Sequence, residues 1–314
     1  MTAHLKLAAA GVALAALLAA CSPGAEKAET AATSASAVTA SADVQPFRIG
    51  DLEAVALRDG GMTGVPNDNS VLAINRTPED VAAVLTAAGL PGDSFDLSIQ
   101  PLLVRDGDRT VLIDAGAGAA MGAGAGRLPA SLSAAGVEAG AITDVLISHG
   151  HGDHIAGLVD AAGALTFPNA TVRMTEAEWT AIQANPQLAD LVTAITPKVE
   201  TFAAGAQVTP SITAFAIDGH TPGHTGYVIG TGTDRVLYVG DMVHHYVISV
   251  QRPDWRIQFD GDAPTAEASR KAVLARAADE NLKVYAVHFP FPGTGRIRRE
   301  GETFVWVPEP AARP

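Results

Sequence analysis

The amino-acid sequence predicts an α/β fold, in which layers of strand and helix enclose a common core. Three observations predict it. Strand-like and helix-like segments interleave from about Pro46 onward without an internal repeat. The segment Ile142–Ser148 is mostly apolar, as a strand covered on both faces must be. No shift in composition divides this stretch into two domains, and a chain of 314 residues, 47% hydrophobic and 18% charged, suffices to bury a core.

The chain opens on a targeting pattern. Lys6 precedes an apolar run from Leu7 to Ala20, which falls short of the ~20 residues needed to cross a bilayer as a helix. Leu18-Ala19-Ala20-Cys21 then resembles the lipobox of bacterial lipoproteins, so residues 1–21 are expected to be a signal peptide with Cys21 lipidated. Cys21 is the only cysteine, which rules out an internal disulfide; its plainer reading is a small buried hydrophobe. Residues 22–45 are mostly Ala, Ser, Thr and Glu and cannot bury enough apolar surface to fold. They are expected to form a flexible tether, leaving 46–314 as the folded domain of an exported periplasmic or cell-envelope lipoprotein.

Within that domain, Phe47–Leu57 reads as one or two strands closed by Asp59-Gly60-Gly61. Thr77-Pro78-Glu79-Asp80 starts a helix, with a Thr cap, Pro at the first helical position and acid in the first turn; Gly89 ends it. Ile99–Val104 and Thr110–Ile113 flank the hairpin signal Asp106-Gly107-Asp108. Residues 115–126 form a Gly/Ala-rich loop, either a flap over a site or an exposed connection. A short helix is expected at Leu128–Ala135, a strand at Ile142–Ser148 and a helix packing back at Ile155–Ala162. Helical patterns recur at Glu176–Ala184 and Thr265–Ala278. Strands are expected at Ile212–Ile217, Tyr227–Ile229, Arg235–Val239 and Leu282–Val287, and a last hairpin joins Arg296–Arg299 to Thr303–Val307.

The net charge of −13 argues against nucleic acid, whose phosphates need a basic footprint. The basic cluster Arg296, Arg298 and Arg299 reads as a solvated hairpin face.

The sharpest chemical signal is His149-Gly150-His151-Gly152-Asp153-His154, directly after the apolar strand. Strand residues alternate sides and the chain then turns through two glycines, so four ligand-type side chains can converge at one strand end. Imidazole nitrogens with a carboxylate suit zinc and neighbouring divalent metals. The chain holds 9 histidines in all, so three of them within six positions argue against a chance cluster on a loop.

With that motif the sequence resembles the metallo-β-lactamase superfamily, whose signature is His-x-His-x-Asp-His after a strand. Its remaining elements follow in order: Gly219-His220-Thr221-Pro222-Gly223-His224, Asp241 after the strand Val236–Val239, and His288 after Val284–Val287. Asp114, ending the strand Val111–Ile113, looks like the family's early structural aspartate. The resemblance implies a four-layer αββα sandwich. It implies one metal held by His149, His151 and His220, a second held by Asp153, His154 and His288, and Asp241 bridging the two. It makes His224 a supporting residue. The metals implied are two divalent cations, zinc first, with manganese, cobalt or iron as substitutes. Two such cations ~3.5–4 Å apart acidify a bridging water, and the resulting hydroxide attacks a carbonyl or phosphoryl centre.

The segments Gly240–His244, Ala268–Ala278 and Ala286–Gly293 look closest to methyl parathion hydrolase-like dinuclear enzymes, which act on organophosphate triesters, aryl esters and lactones. Lactonases of the superfamily often carry tyrosine three residues after the bridging aspartate; this chain has His244, which either donates a hydrogen bond or proton in catalysis or packs on the pocket wall, as does His245. Catalytic roles are thus expected for Asp241, Asp153 as a proton carrier, and His244. Phe259, Trp255, Phe289 and Trp179 are candidate pocket walls. The leading expectation is an ester or lactone hydrolase. The alternatives are a phosphotriester hydrolase, a mononuclear iron enzyme that oxidises sulfur, and a non-catalytic metal-binding surface protein. The partners expected are a small ester, lactone or organophosphate and the membrane through a lipid anchor alone, with no nucleic acid; a homodimer is allowed.

Overall fold

A computed structural model describes residues 38–119 and 121–310 of the chain. The expected signal with Cys21, and the tether as far as residue 37, lie outside the described residues. Strand β1 (Val44–Ile49) starts ahead of Pro46, so Val44 and Gln45 belong to a strand and not to the tether.

It pairs with β2 (Leu52–Leu57) in a hairpin, followed by β3 (Gly60–Pro66). Helix α1 (Pro78–Ala87) starts at a Thr77–Asp80 capping box and is closed by Gly89, whose φ is 77°. Next come β4 (Ser94–Ile99), β5 (Leu102–Asp106), β6 (Arg109–Ile113), α2 (Leu128–Ala134), β7 (Asp144–Leu146) and the single turn α3 (Gly152–Ile155). The chain continues through β8 (Thr171–Thr175), α4 (Glu176–Ala184), α5 (Ala189–Ile195), β9 (Val199–Phe202), β10 (Gln207–Thr209), β11 (Ile212–Ala216), β12 (Thr225–Ile229) and β13 (Val236–Tyr238). It ends with α6 (Ile248–Gln251), α7 (Ala263–Asp279), β14 (Lys283–Tyr285) and the hairpin of β15 (Thr294–Glu300) with β16 (Thr303–Pro308).

One seven-stranded sheet has the order β1-β2-β5-β6-β7-β8-β9, a second runs β10 to β16 in sequence order, and β3 pairs with β4 apart from both. Side chains alternate across each strand, and this sorts the core into layers. Leu102, Val104, Ile113 and Leu146 of the first sheet meet Ile212, Tyr227, Tyr238 and Tyr285 of the second. Their neighbours Leu103, Leu112 and Val145 point the other way, onto Leu132 of α2, Ile182 of α4 and Ile195 of α5. On the far side of the second sheet, Leu237, Val239 and Val284 pack on Val273, Leu274 and Ala277 of α7. The layers are therefore helix, sheet, sheet and helix, the αββα sandwich that the resemblance implies.

Two local expectations fail, each for a visible reason. Ile99–Val104 is not one strand. The buried Gln100 side chain turns to donate to the carbonyls of Ala286 and Phe289, at 2.9 and 3.0 Å, and Pro101 has no N–H to continue a ladder. The chain thus leaves the small sheet as β4 and enters the large one as β5. Ile155–Ala162 is not a helix either. After α3 it forms a 3₁₀ turn, Ala156–Leu158, because its backbone is taken up by the preceding loop: Gly157 N donates to Gly116 O, and Ala115 N to His154 O. Gly157 is so close to that loop that a Cβ there would lie 1.9 Å from the Ala115 carbonyl oxygen.

Strands β6, β7, β8 and β9 run parallel, as do β13 and β14. Asp114, His149, Asp241 and His288 all follow the C-terminal ends of strands in these runs, the place where α/β sheets commonly present their ligands.

Candidate metal centre

The structure brings together all seven side chains singled out as ligands. His149 Nε2 and His220 Nε2 each lie 3.0 Å from His151 Nδ1. Asp241 Oδ2 is 3.5 Å from both of those Nε2 atoms. The other oxygen of the same carboxylate, Oδ1, faces the opposite way, 3.1 Å from His154 Nε2 and 2.9 Å from His288 Nε2. Asp153 Oδ2 completes that second group at 3.5 Å from each of these two histidines. Within each group, His149–His151–His220–Asp241 and Asp153–His154–His288, the donor atoms lie within 4.8 Å of one another.

This donor set fits divalent cations. Asp241 Oδ1 and His154 Nε2 are buried, and neither makes a hydrogen bond despite its proximity to the other. Two carboxylates stand in the centre, and among the described residues neither Asp153 nor Asp241 pairs with a lysine or arginine. Buried charge with no permanent counter-charge is costly, and two cations would supply one. Three imidazole nitrogens converging on one point are likewise explained by a shared electron-pair acceptor.

In four of the five candidate ligand histidines, all but His151, the outer nitrogen has a hydrogen-bonding partner that aims the inner one. His154 Nδ1 donates to Asp114 Oδ2 at 2.7 Å, and that same oxygen accepts from Ser148 Oγ and Tyr238 OH. Asp114 adopts φ 61°, a left-handed conformation that aspartate tolerates better than most residues, and its Oδ1 accepts from Ser148 N. His288 Nδ1 donates to Ser98 O at 2.7 Å, and Ser148 Oγ lies 3.1 Å from His149 Nδ1. His220 Nδ1 donates to Asp260 Oδ1 at 2.9 Å; Asp260 Oδ2 in turn accepts from Arg270 Nη2 at 2.8 Å. Asp260 and Arg270 carry no sequence motif: Arg270 reads as one more charge on an amphipathic helix, and only the fold shows it to be buried.

Electrostatics separates the five histidines. Burial holds His149 well below the ordinary histidine pKa and brings His151 down to about 4. For His154, His220 and His288 burial acts in the same direction, but the adjoining carboxylates outweigh it; Asp241 and Asp260 lift His220 to about 8. Cation binding therefore has to displace protons from that trio, as is usual when metal occupies an imidazole site.

The three remaining histidines of the site region differ in role. His224 is not available as a ligand. Asp241 N–H donates to its Nε2 at 3.1 Å, so Nδ1 carries the proton and donates to Ile217 O at 3.0 Å. Burial pushes its pKa down to about 3, so the ring stays neutral and fixes the backbone at Asp241. Gly240 makes this contact possible: it has φ 48°, and a Cβ there would lie 2.5 Å from His224 Nε2. His245 faces away from the centre, and its Nδ1 accepts from Val247 N and Ile248 N, both at 3.2 Å, at the start of α6. His244 does join the site. Its ring stacks between His288 and Phe259, Nε2 is 3.3 Å from Asp241 Oδ2, and both ring nitrogens are buried without a hydrogen bond.

Of the four expected pocket walls, only Phe259 stands at the site. It is 43% exposed, with its ring 6.2 Å from that of His151 and 6.0 Å from that of His244. Trp255 is buried against α1, Phe289 is buried beside Trp306, and Trp179 packs on the core under the first sheet.

Residues 96–288 match the family model described as metallo-beta-lactamase superfamily. No curated protein matches the chain. Among solved structures, AidC, a dizinc quorum-quenching lactonase in complex with a product, N-hexnoyl-L-homoserine, is similar with a TM-score of 0.81 and 28% identity, covering 86% of this chain and 99% of its own. The hydrolase AbOPH in the beta lactamase superfamily is similar with a TM-score of 0.79 and 25% identity, covering 88% and 100%. A probable metal-dependent hydrolase from Staphylococcus aureus shares the fold with a TM-score of 0.68 and 20% identity, covering 84% and 99%.

Proposed function

The chain belongs to the metallo-β-lactamase superfamily and is a metal-dependent hydrolase; from that premise we propose that it holds two zinc ions and cleaves lactone and ester carbonyls. The observation that carries the proposal is the Asp241 carboxylate, whose two oxygens are divided between two groups of nitrogen and oxygen donors. The likeness to a dizinc lactonase supports the substrate class. When bound, two such cations supply an acidified water as nucleophile and polarise the carbonyl under attack.

The chain's own residues set the rest. His149, His151 and His220 would hold one cation, Asp153, His154 and His288 the other, and Asp241 would lie between them. His154 and His288 keep Asp153 ionised against the effect of burial, so it would meet a cation as a carboxylate. Burial keeps His244 below the ordinary histidine pKa although Asp241 opposes it, so its ring is neutral and can donate one hydrogen bond to a substrate oxygen. Phe259 gives an apolar or aromatic limb of the substrate a surface beside both rings.

The test is a hydrolysis panel on zinc-loaded protein, with aryl acetates, aromatic lactones and N-acyl homoserine lactones set against paraoxon-type triesters. Turnover of esters or lactones is expected. Turnover of the triesters alone would replace this reading with a phosphotriester hydrolase.

The Leu18–Cys21 segment supports a second proposal, that the protein is exported and anchored in the cell envelope through lipid on Cys21. Cys21→Ser should then release it from the membrane fraction, and unchanged fractionation would refute the anchor.

A further inference from the structure

Glu178, in the first turn of α4, is buried at 2% exposure and takes no part in either group of ligands. Its carboxylate accepts three hydrogen bonds and no described lysine or arginine pairs with it. Oε1 accepts from Gly150 N at 2.7 Å; Oε2 accepts from Thr221 Oγ1 at 2.7 Å and Gly223 N at 2.8 Å. One carboxylate thus ties the loop carrying His149 and His151 to the loop carrying His220. The glycines at both attachments are shaped by this approach. A Cβ on Gly150 would lie 3.1 Å from Glu178 Oε1, and one on Gly223 would lie 2.4 Å from Glu178 N.

The ligand histidines show why such a tie is needed. His149, His154, His220 and His288 each have an outer nitrogen within hydrogen-bonding distance of Ser148, Asp114, Asp260 or Ser98. His151 does not: among the described residues, its Nε2 makes no hydrogen bond. With no hydrogen bond to aim it from outside, its ring depends on packing and on where its backbone is held, and the amide immediately before it, Gly150 N, is the one that Glu178 holds.

We propose that Glu178 is a positioning residue for the metal held by His149, His151 and His220, setting the distance between their two loops, and that it has no comparable effect on the metal held by Asp153, His154 and His288. This rests on the two-metal reading above. Glutamine in its place keeps the shape but offers one acceptor oxygen and one donor nitrogen, so one loop loses its attachment.

The experiment is a titration of the full chain with zinc against a chromophoric chelator, with His151→Ala and His288→Ala marking which binding step belongs to which position. Wild type should take up two equivalents in two resolvable steps. Glu178→Gln should weaken only the step that His151→Ala removes, by about ten- to a hundredfold, and leave the other within about twofold. Thr221→Val, which deletes a single donor and spares the carboxylate, should weaken that same step by a smaller factor; it decides the matter if Glu178→Gln does not fold. Both steps unchanged in a folded variant, or both weakened alike, would overturn the positioning role while leaving the metal reading intact. Failure of the wild type to take up zinc would remove both.

Discussion

Asp260 sits between His220 and Arg270, with Oδ1 2.9 Å from His220 Nδ1 and Oδ2 2.8 Å from Arg270 Nη2. Arg270 is itself fixed, donating from Nε to Met242 O at 2.8 Å, directly after Asp241 in the chain. The guanidinium therefore holds the backbone next to Asp241 and, through Asp260, the orientation of His220. Asp260→Ala should reduce zinc affinity by about ten- to a hundredfold, as loss of a residue that orients a ligand imidazole typically does. Chelator competition checks this, and wild-type affinity in the folded variant would refute it. Arg270→Met should act mainly on stability. It leaves the Asp260 carboxylate buried without its cation, a loss of about 3–5 kcal/mol readable by denaturant unfolding.

His244 separates catalysis from metal binding. Its nitrogens are buried and free of hydrogen bonds, and its ring is clasped by His288 and Phe259. His244→Phe should keep the stack and the full metal content but lower kcat by about 10²–10³-fold, the size expected for one lost donor to developing oxyanion charge. His244→Tyr should recover part of the rate. Metal loss in His244→Phe would show instead that His244 is a ligand.

Gly240 tests the coupling of His224 to Asp241. Gly240→Ala forces a Cβ into the left-handed region, at about 1 kcal/mol, and against an imidazole nitrogen 2.5 Å away. Because this displaces the Asp241 backbone rather than the core, activity should fall far more than the unfolding midpoint. A variant with wild-type kcat/KM would contradict the role given to His224.

Much of this could be read in the sequence, and what could not has a physical cause. Of the seven candidate ligands, His149, His151, Asp153 and His154 were legible as a dense His and Asp cluster between glycines after an apolar strand, and His220, Asp241 and His288 through the resemblance to the superfamily. Helix α1 was legible from its capping residues, and α4 and α7 from their helical patterns. Arg270 and Glu178 were not, because a buried charge on a helix reads like a surface one until the packing is known, and Asp260 was not, because it sits in a loop with no motif around it. Strands β3, β8, β9 and β10, and β4 ahead of Ile99, were missed because they are short or only partly buried, with Val199–Phe202 having no fully buried residue. The break at Gln100 depends on carbonyls far away in the chain, at Ala286 and Phe289, which no local pattern can anticipate.

His245 gives a pH dependence that can be signed. Burial lowers its pKa to about 4 from the ordinary 6.5, so the unfolded chain binds a proton that the folded one refuses. The stability contribution is complete above pH 6.5 and is lost as pH falls toward 4, at up to about 1.4 kcal/mol per unit. His245→Asn keeps an acceptor for Val247 N and Ile248 N but cannot titrate. Between pH 6.5 and 4 the wild type should therefore lose stability more steeply than the variant, by denaturant unfolding at each pH. Parallel losses would show that His245 is not held neutral.

The most direct test of the two-cation centre is the zinc content of the purified, zinc-reconstituted chain, counted per protein molecule by elemental analysis. Two zinc ions per chain are expected for the wild type. A well-folded protein that retains one or none would contradict it.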